Sequence, residues 1–174
     1  MTTTTDPLDL MLQTDASGAP VRLEYVRGHT KWEASPAVRH QKAAKVIEAS
    51  IRPIPGGRAG CACYSLQDVF IRFPDPDSSI KRPDIAIFCT EPPDTDQALD
   101  MLPAAVIEIL SLGYEDKDIG PDGAAFYLAC GVRDVLVVDP RGHLASHYRP
   151  GLSRADLATP ATVALACGCS VTIP

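Results

Sequence analysis

Two short apolar segments, each interrupted by one acidic residue, constrain this chain more than any other feature of its sequence. The first segment is Arg82–Phe88, which contains Asp84, and the second is Ala105–Leu110, which contains Glu108. Both are bounded by turn-forming residues, so each is predicted to be a buried strand with one carboxylate. An ionised carboxylate is costly to remove from water unless it is paired, hydrogen-bonded or bound to a cation. A divalent metal ion shared by the two acids would meet that need.

Simpler partners would also satisfy the two acids. Asp84 could accept backbone N–H bonds at its strand entry, and Glu108 could pair with an arginine from a neighbouring element, since structural ion pairs are common. Alternation puts each acid on the same face of its strand as the apolar residues two positions away. If the two strands are neighbours, the carboxylates can therefore converge.

The first half of the chain is predicted to contain a hairpin, a helix and a meander. Gly28 supplies the turn of a β-hairpin over residues 21–34. Ser35-Pro36 marks the start of a helix that runs from Ala37 to about Ile51. An antiparallel meander then follows from residue 61 to residue 88, and its last strand is the Asp84 strand.

The second half is predicted to continue with a polar connector, a helix and further strands. The connector spans residues 91–103, with a possible helical turn near residues 97–102. Residues 112–122 are interpreted as a polar loop of mixed charge, and a helix follows from about Pro121 to Cys130. Strands are predicted at residues 132–139, 144–149, 162–166 and 170–173. Helices and strands alternate only partly, so the predicted fold class is α/β, a mixed β-sheet flanked by helices with an N-terminal β-hairpin.

The totals describe one ordinary domain that is acidic overall. With 174 residues, the chain is predicted to consist of a flexible arm over residues 1–20 and a single domain over residues 21–174. Its net charge of −6 gives no general attraction to nucleic acid or to an anionic membrane, so a polyanion must meet a local patch. Basic residues that crowd the first part of the chain could form such a phosphate-facing rim: Arg22, Arg27, Lys31, Arg39 and Lys42.

The cysteines and the N-terminal residues indicate a cellular compartment. Cys61/Cys63 and Cys167/Cys169 form two Cys-x-Cys pairs that could together make a four-sulfur zinc site. Buried free thiols are the favoured interpretation, because zinc ligands usually stand further apart in sequence. The N-terminal residues lack the pattern of a signal peptide and no run reaches the length of a membrane span. A cytoplasmic protein with reduced cysteines and no membrane partner is therefore predicted.

Several short motifs, in this order and spacing, carry a resemblance to a known family. The motifs are Leu23-Glu24-Tyr25, Ser35-Pro36, His40-Gln41, Arg82-Pro83-Asp84, Glu108-Ile109-Leu110-Ser111, Tyr127, Gly131-Val132 and Val138-Asp139-Pro140. They resemble the Uma-type family of restriction-endonuclease-like bacterial proteins, within the PD-(D/E)XK nuclease superfamily. The resemblance extends from about residue 21 to the C-terminus.

The resemblance implies a metal-dependent nuclease. Asp84 and Glu108 would lie on adjacent strands and bind Mg²⁺ or Mn²⁺, with the Ile109 carbonyl as a third ligand. The metal would polarise a scissile phosphate, with DNA as the expected substrate, and would activate the attacking water. His40 shares a stripe of the first helix with core residues, where most histidines are structural. It is nevertheless a candidate to assist catalysis.

The catalytic lysine is the point of departure from the family pattern. The superfamily lysine would stand two residues after the glutamate, where this chain has Leu110, and the family's own lysine would fall at Gly123. Lys117 is the nearest lysine and is the candidate to replace it. The alternative is that Lys117 belongs to a solvated cluster of surface charges.

Three functions follow from these features. The first is a DNA endonuclease that uses Asp84, Glu108, Lys117 and His40. The second is a catalytically degenerate relative that acts as a nucleic-acid-binding or protein-assembly module, with a homodimer as one possible form. The third is a small acidic protein whose strand acids are purely structural.

Overall fold

The structure, a computed structural model, describes residues 22–33, 36–57, 60–113 and 115–174. The arm predicted over residues 1–20 lies outside these ranges. The helices are α1 (Val38–Ser50), α2 (Glu115–Ile119) and α3 (Ala124–Ala129). The strands are β1 (Arg22–Val26), β2 (His29–Glu33), β3 (Arg52–Pro53), β4 (Tyr64–Leu66), β5 (Ile71–Arg72), β6 (Ile80–Lys81), β7 (Ile85–Phe88), β8 (Ala105–Ile109), β9 (Asp134–Asp139), β10 (Leu144–Tyr148), β11 (Ala155–Ala158), β12 (Ala161–Ala164) and β13 (Cys169–Ile173).

A six-stranded mixed sheet forms the centre of the fold. Its strand order is β11-β10-β9-β8-β7-β4, and β8 and β9 run parallel while the other neighbours are antiparallel. The parallel pair needs a crossover connection, which contains α2 and α3. A four-stranded sheet of order β2-β1-β6-β5 and a three-stranded sheet of order β12-β13-β3 complete the architecture. The predicted α/β class, with its mixed sheet and N-terminal hairpin, is confirmed.

The central sheet has a hydrophobic core on each face. Alternate residues such as Ile85 and Ile107 belong to a first core, which includes residues of α1, β12 and β13. The residues between them, such as Ala86 and Val106, belong to a second core, which includes residues of α3. A strand buried on both faces reads as a continuous apolar run, and this is why β7 and β8 were recognisable in the sequence.

The first helix presents the face that its sequence predicted. Its buried residues are His40, Ala43, Ala44 and Ile47, so His40 does point toward the core. The helix begins at Val38 with Ala37 at the cap, slightly later than the predicted start. None of the described helices has both the length and the apolar character that a membrane crossing requires.

The predicted meander before Asp84 is wrong. The strand β4 pairs directly with β7, while β5 and β6 form a hairpin that joins the sheet of β1. The reason is burial, since Ile71 packs in the second core and Ile80 contributes to a separate small cluster with Leu23 and Phe70. In the connector, the predicted helical turn is replaced by an extended segment whose Leu99 bridges Ile71.

The cysteines also differ from the prediction. Cys61 is bonded to Cys89 and Cys63 to Cys169, whereas Cys167 is free. The prediction of free thiols is therefore wrong for four of the six cysteines. The fold brings these sulfur atoms together from segments far apart in sequence.

Candidate active site

The two predicted acids lie opposite each other at one end of β7 and β8. These strands are antiparallel neighbours in which Ile85 pairs with Ile107. Continuing this register by one residue puts Asp84 opposite Glu108, and directly opposed residues have their side chains on the same face. Both side chains are buried, since Asp84 is 9% exposed and Glu108 is 0% exposed.

Backbone groups fix both carboxylates. The Asp84 N–H donates to Glu108 Oε2 at 3.2 Å, and the Ile109 N–H donates to Asp84 Oδ2 at 2.7 Å. The N–H of Leu110, directly after β8, donates instead to the Val138 carbonyl on β9 at 2.9 Å. In an extended strand the N–H and C=O of one residue point to the same side. The Ile109 carbonyl therefore faces the Asp84 side, as a metal ligand would have to do.

One side chain from each of two helices orients an acid. His40 of α1 places Nε2 3.1 Å from Asp84 Oδ2. Tyr127 of α3 donates its hydroxyl proton to Glu108 Oε1 at 2.5 Å. Both orienting side chains are buried, and Tyr127 is 0% exposed. These bonds leave each carboxylate little freedom to turn.

Lys117 belongs to this site. Its Nζ lies 3.7 Å from Glu108 Oε2 and 2.9 Å from Asp118 Oδ1, and its side chain is only 20% exposed. The segment predicted as a polar loop contains α2, and this helix holds Lys117 over the end of β8. The fold thus brings Asp84, Glu108, His40 and Lys117 together, while their chemical roles stay predictions.

The two family positions for lysine are closed in this backbone. Leu110 is packed in the second core. At Gly123, an added Cβ would lie 2.0 Å from the Asp118 carbonyl oxygen, which is far inside van der Waals contact. A lysine could occupy neither position without a rearrangement of the surrounding structure.

Three further charged groups line the site, and none of them was among the predicted site residues. Glu24 is 0% exposed, and its Oε1 accepts the Arg82 N–H at 2.6 Å. Lys81 places Nζ 3.8 Å from Glu24 Oε2 and 4.6 Å from the Tyr127 ring centroid. Asp118 is 1% exposed beside Lys117. Glu24 carried a usable signal, because it too is a lone acid within an apolar strand.

Burial and neighbouring groups shift the pKa of each acid. Burial raises the pKa of Glu108, and the charge of Asp84 adds to the rise against the opposing effect of Lys117. Burial also acts on Asp84, but the His40 hydrogen bond and Lys117 bring its pKa below the usual value. Burial and the charge of Glu108 raise the pKa of Asp118 to about 8. Four buried carboxyl groups thus share the two ammonium groups of Lys81 and Lys117.

The donor set suits a hard divalent cation. Its ligand atoms are oxygens, which Mg²⁺ and Mn²⁺ prefer. One carboxylate oxygen beside them, Glu24 Oε2, is buried and has no hydrogen-bond partner among the described residues. Some groups of three described His, Cys, Asp or Glu side chains have all their ligand atoms within 4.8 Å of one another. Such groups contain only cysteines, so no three carboxylates are that close and at most two can be close ligands of one metal ion here. Mg²⁺ is commonly held in that way, by one or two carboxylates with water completing the shell.

Part of the predicted basic rim lies at the same end of the molecule. Arg27 places Nη1 3.5 Å from Asp122 Oδ1, and Lys31 Nζ pairs with Asp122 Oδ2. The backbone carbonyl of Asp122 accepts a hydrogen bond from Lys81 at 2.6 Å, which links this pair of basic residues to the acid cluster. Arg39 and Lys42 are exposed on α1.

The mixed sheet with paired acids at the end of adjacent strands defines a restriction-endonuclease-like α/β domain. The model of the Uma2 family, described as "Putative restriction endonuclease", matches residues 8–166, and the chain belongs to this family. It is also similar to a crystal structure described as a "putative nuclease belonging to DUF820 from Anabaena variabilis ATCC 29413". That similarity has a TM-score of 0.61 and 18% identity over 91% of this chain and 88% of the other, and supports the fold alone. No curated protein matches the chain.

Proposed function

We propose that this chain is a metal-dependent nuclease that hydrolyses phosphodiester bonds of DNA. The observation that carries the proposal is the opposition of Asp84 and Glu108 with the Lys117 ammonium 3.7 Å from Glu108. Membership of a family described as "Putative restriction endonuclease" supports the reaction class. The burial of Asp84 and Glu108 beside each other is costly, and a catalytic site is a common reason for such a cost.

Asp84, Glu108 and the Ile109 carbonyl would hold Mg²⁺, or Mn²⁺ in its place. A metal ion bound there supplies Lewis-acid polarisation of the phosphate and lowers the pKa of the attacking water. His40 and Tyr127 each hold one carboxylate in a fixed orientation through the contacts described above. Such orienting bonds around metal ligands commonly change metal affinity by about 10- to 100-fold.

Lys117 takes the role of the displaced lysine in this proposal. Its ammonium can offset the negative charge that develops on the phosphate, as preorganised cations do in hydrolytic sites. His40 is a positioning residue in this proposal. Its Nε2 contacts Asp84 Oδ2, so it acts through the orientation of that carboxylate. Arg27 and Lys31 would contact the DNA backbone beside the site.

A second candidate function is a nucleic-acid-binding or protein-assembly module without catalysis. It is favoured by the backbone N–H groups of Asp84 and Ile109, which would keep both acids in place in the absence of any reaction. The closure of both family lysine positions points the same way. This candidate predicts DNA binding or self-association with no cleavage.

A plasmid-nicking assay separates the two candidates. We expect purified protein to nick supercoiled DNA with Mg²⁺ or Mn²⁺ and to stop when the metal is chelated. Asp84→Ala and Glu108→Ala should each reduce cleavage to background, whereas Lys45→Ala, an exposed change on α1, should leave it unchanged. Cleavage that survives both acid substitutions would rule out this site. DNA binding by the folded wild-type protein without metal-dependent cleavage would favour the second candidate.

A further inference from the structure

Five of the six cysteines form one cluster in the first core. This cysteine cluster consists of Cys61, Cys63, Cys89, Cys167 and Cys169. The Sγ atoms of Cys61, Cys63 and Cys169 all lie within 4.8 Å of one another, and those of Cys61, Cys89 and Cys167 do the same. Cys61 belongs to both triads, so its sulfur is central. Asp84 and Glu108 lie toward the other face of the sheet, and the cluster is separate from the candidate active site.

Backbone geometry holds the three contributing segments together. The segment before β4 supplies Cys61 and Cys63, and the Ala62 N–H between them donates to the Cys89 carbonyl just beyond β7 at 2.9 Å. The turn between β12 and β13 supplies Cys167, and the first residue of β13 is Cys169. Gly168 sits between them with φ of 93°, and the Leu165 N–H donates to the Cys169 carbonyl at 2.8 Å. The sulfurs therefore converge through ordered turns.

Two disulfides account for only part of this arrangement. They join Cys61 to Cys89 and Cys63 to Cys169, and leave the buried thiol of Cys167 beside them. The sulfurs of Cys61 and Cys169, which belong to different disulfides, are 3.4 Å apart. A tetrahedral zinc ion with bonds of about 2.3 Å holds its sulfur ligands about 3.8 Å apart. The spacing of Cys61 Sγ and Cys169 Sγ is close to that of a zinc–thiolate shell.

We propose that the reduced chain binds one Zn²⁺ in this cluster through four thiolates. Cys61, Cys63 and Cys169 are three of the ligands, and the fourth is Cys89 or Cys167. The Sγ atoms of both lie within 4.8 Å of Cys61 Sγ and would have to approach those of Cys63 and Cys169 in the reduced chain. The two disulfides are the oxidised form of the same site. A closed four-sulfur shell has no position for substrate or water, so this zinc is structural and independent of the proposed nuclease reaction.

The conversion between the two forms balances with a dithiol as the reductant. Two dithiol molecules reduce the two disulfides, and each gives up two electrons and two protons as it closes its own disulfide. The four protein sulfurs become thiols. Zn²⁺ then replaces four thiol protons, counting Cys167 if it is a ligand, and these protons pass to the buffer.

Metal analysis of the full chain tests the proposal directly. Protein reduced with a dithiol, incubated with Zn²⁺ and freed of excess metal should retain about one zinc ion per chain by mass spectrometry. Replacement by Co²⁺ should give the visible bands of a tetrahedral site with thiolate-to-metal charge transfer. Reduced wild-type protein that retains no zinc, or a cobalt spectrum without thiolate bands, would overturn the proposal.

Matched cysteine variants locate the site. Cys61→Ser should abolish stoichiometric zinc binding, whereas Cys130→Ser, which changes the free cysteine outside the cluster, should keep it. The Cys89→Ser/Cys167→Ser double variant should lose zinc as Cys61→Ser does. Retention of zinc by either Cys61→Ser or the double variant would contradict the four-thiolate site. The reduced wild-type protein should also unfold at a lower temperature after zinc chelation, and nuclease activity is not part of this readout.

Discussion

Lys117 is the residue on which the proposed chemistry depends most. Its ammonium contacts Glu108, and its side chain is partly exposed. We expect Lys117→Ala to lower the cleavage rate by about 10²- to 10³-fold, the usual loss when a preorganised charge-stabilising group is removed. Lys45→Ala is the matched control. The comparison requires single-turnover cleavage rates on folded variants.

Equal and small effects of the two lysine substitutions would contradict this role for Lys117. The variant should also be checked by circular dichroism, because Lys117 Nζ lies 2.9 Å from Asp118 Oδ1 as well as contacting Glu108. If the variant cleaves more slowly but has the circular dichroism spectrum of the wild type, the substitution has impaired catalysis and not folding.

The Tyr127 hydroxyl should contribute to stability through Glu108. Tyr127→Phe keeps the ring but removes the donor to Glu108 Oε1, and a buried acceptor left unsatisfied costs about 1–3 kcal/mol. The free energy of unfolding in urea measures this loss. Tyr64→Phe, on the half-buried edge strand β4, should change stability by less than about 0.5 kcal/mol. A Tyr127→Phe variant as stable as the wild type would show that the bond contributes nothing.

The predictability of the site differs from residue to residue for a physical reason. Asp84 and Glu108 were recognisable because an acid inside an apolar strand is costly, and Glu24 obeys the same rule. Lys81 and Asp118 were not recognisable, because each stands in a short charged segment that is equally typical of a solvated surface. Their burial depends on contacts with distant parts of the chain, such as the contact of Lys81 with the Asp122 carbonyl.

At the scale of elements, α2 contributes through Asp118 to how stability responds to pH. The pKa of Asp118 is about 8 in the folded chain, against an ordinary value of 3.8. Between these two values the folded state retains a proton that the unfolded state has released. Stability should therefore fall as the pH rises from about 4 to about 8, as far as Asp118 is concerned.

Asp118→Asn should remove this part of the pH dependence. The variant's free energy of unfolding should change less than that of the wild type across the same range, because the amide does not titrate. Asp116→Asn, an exposed change on the same helix, should keep the wild-type profile. If both variants decline with pH as the wild type does, Asp118 is not the responsible group.

Whole elements were predicted where the local pattern agrees with the tertiary environment. The hairpin around Gly28 and the buried stripe of α1 were both recognisable, because the apolar residues of each element recur at one regular spacing. The pairing of β4 with β7 was not, because strands of two to four residues carry too little pattern to choose a partner. The helix α2 was missed because its residues are nearly all charged.

At the scale of the whole molecule, the net charge of −6 makes DNA binding depend on a small basic area. We expect the Arg27→Gln/Lys31→Gln double variant to bind DNA more weakly. The slope of the logarithm of its DNA association constant against the logarithm of the salt concentration should be shallower by up to about two. Fluorescence anisotropy over a series of salt concentrations measures both quantities. The control is Arg154→Gln, beside the edge strand β11.

The outcome discriminates between two ways of binding. An unchanged slope in the double variant would show that Arg27 and Lys31 do not contact phosphates. An equal loss in the Arg154→Gln control would show that the effect is one of overall charge, because Arg154 lies next to an edge of the central sheet whereas Arg27 and Lys31 belong to the β1–β2 hairpin of the four-stranded sheet.

The tight approach of Gly123 to Asp118 also links two positions in evolution. A side chain at residue 123 would collide with the Asp118 carbonyl, so the chain that contains α2 in this form must keep glycine there and carry its ammonium at Lys117. A relative with a lysine at the position of Gly123 must have rebuilt the crossover and no longer needs a lysine at the position of Lys117. We therefore expect these two positions to covary within the family, each lysine excluding the other.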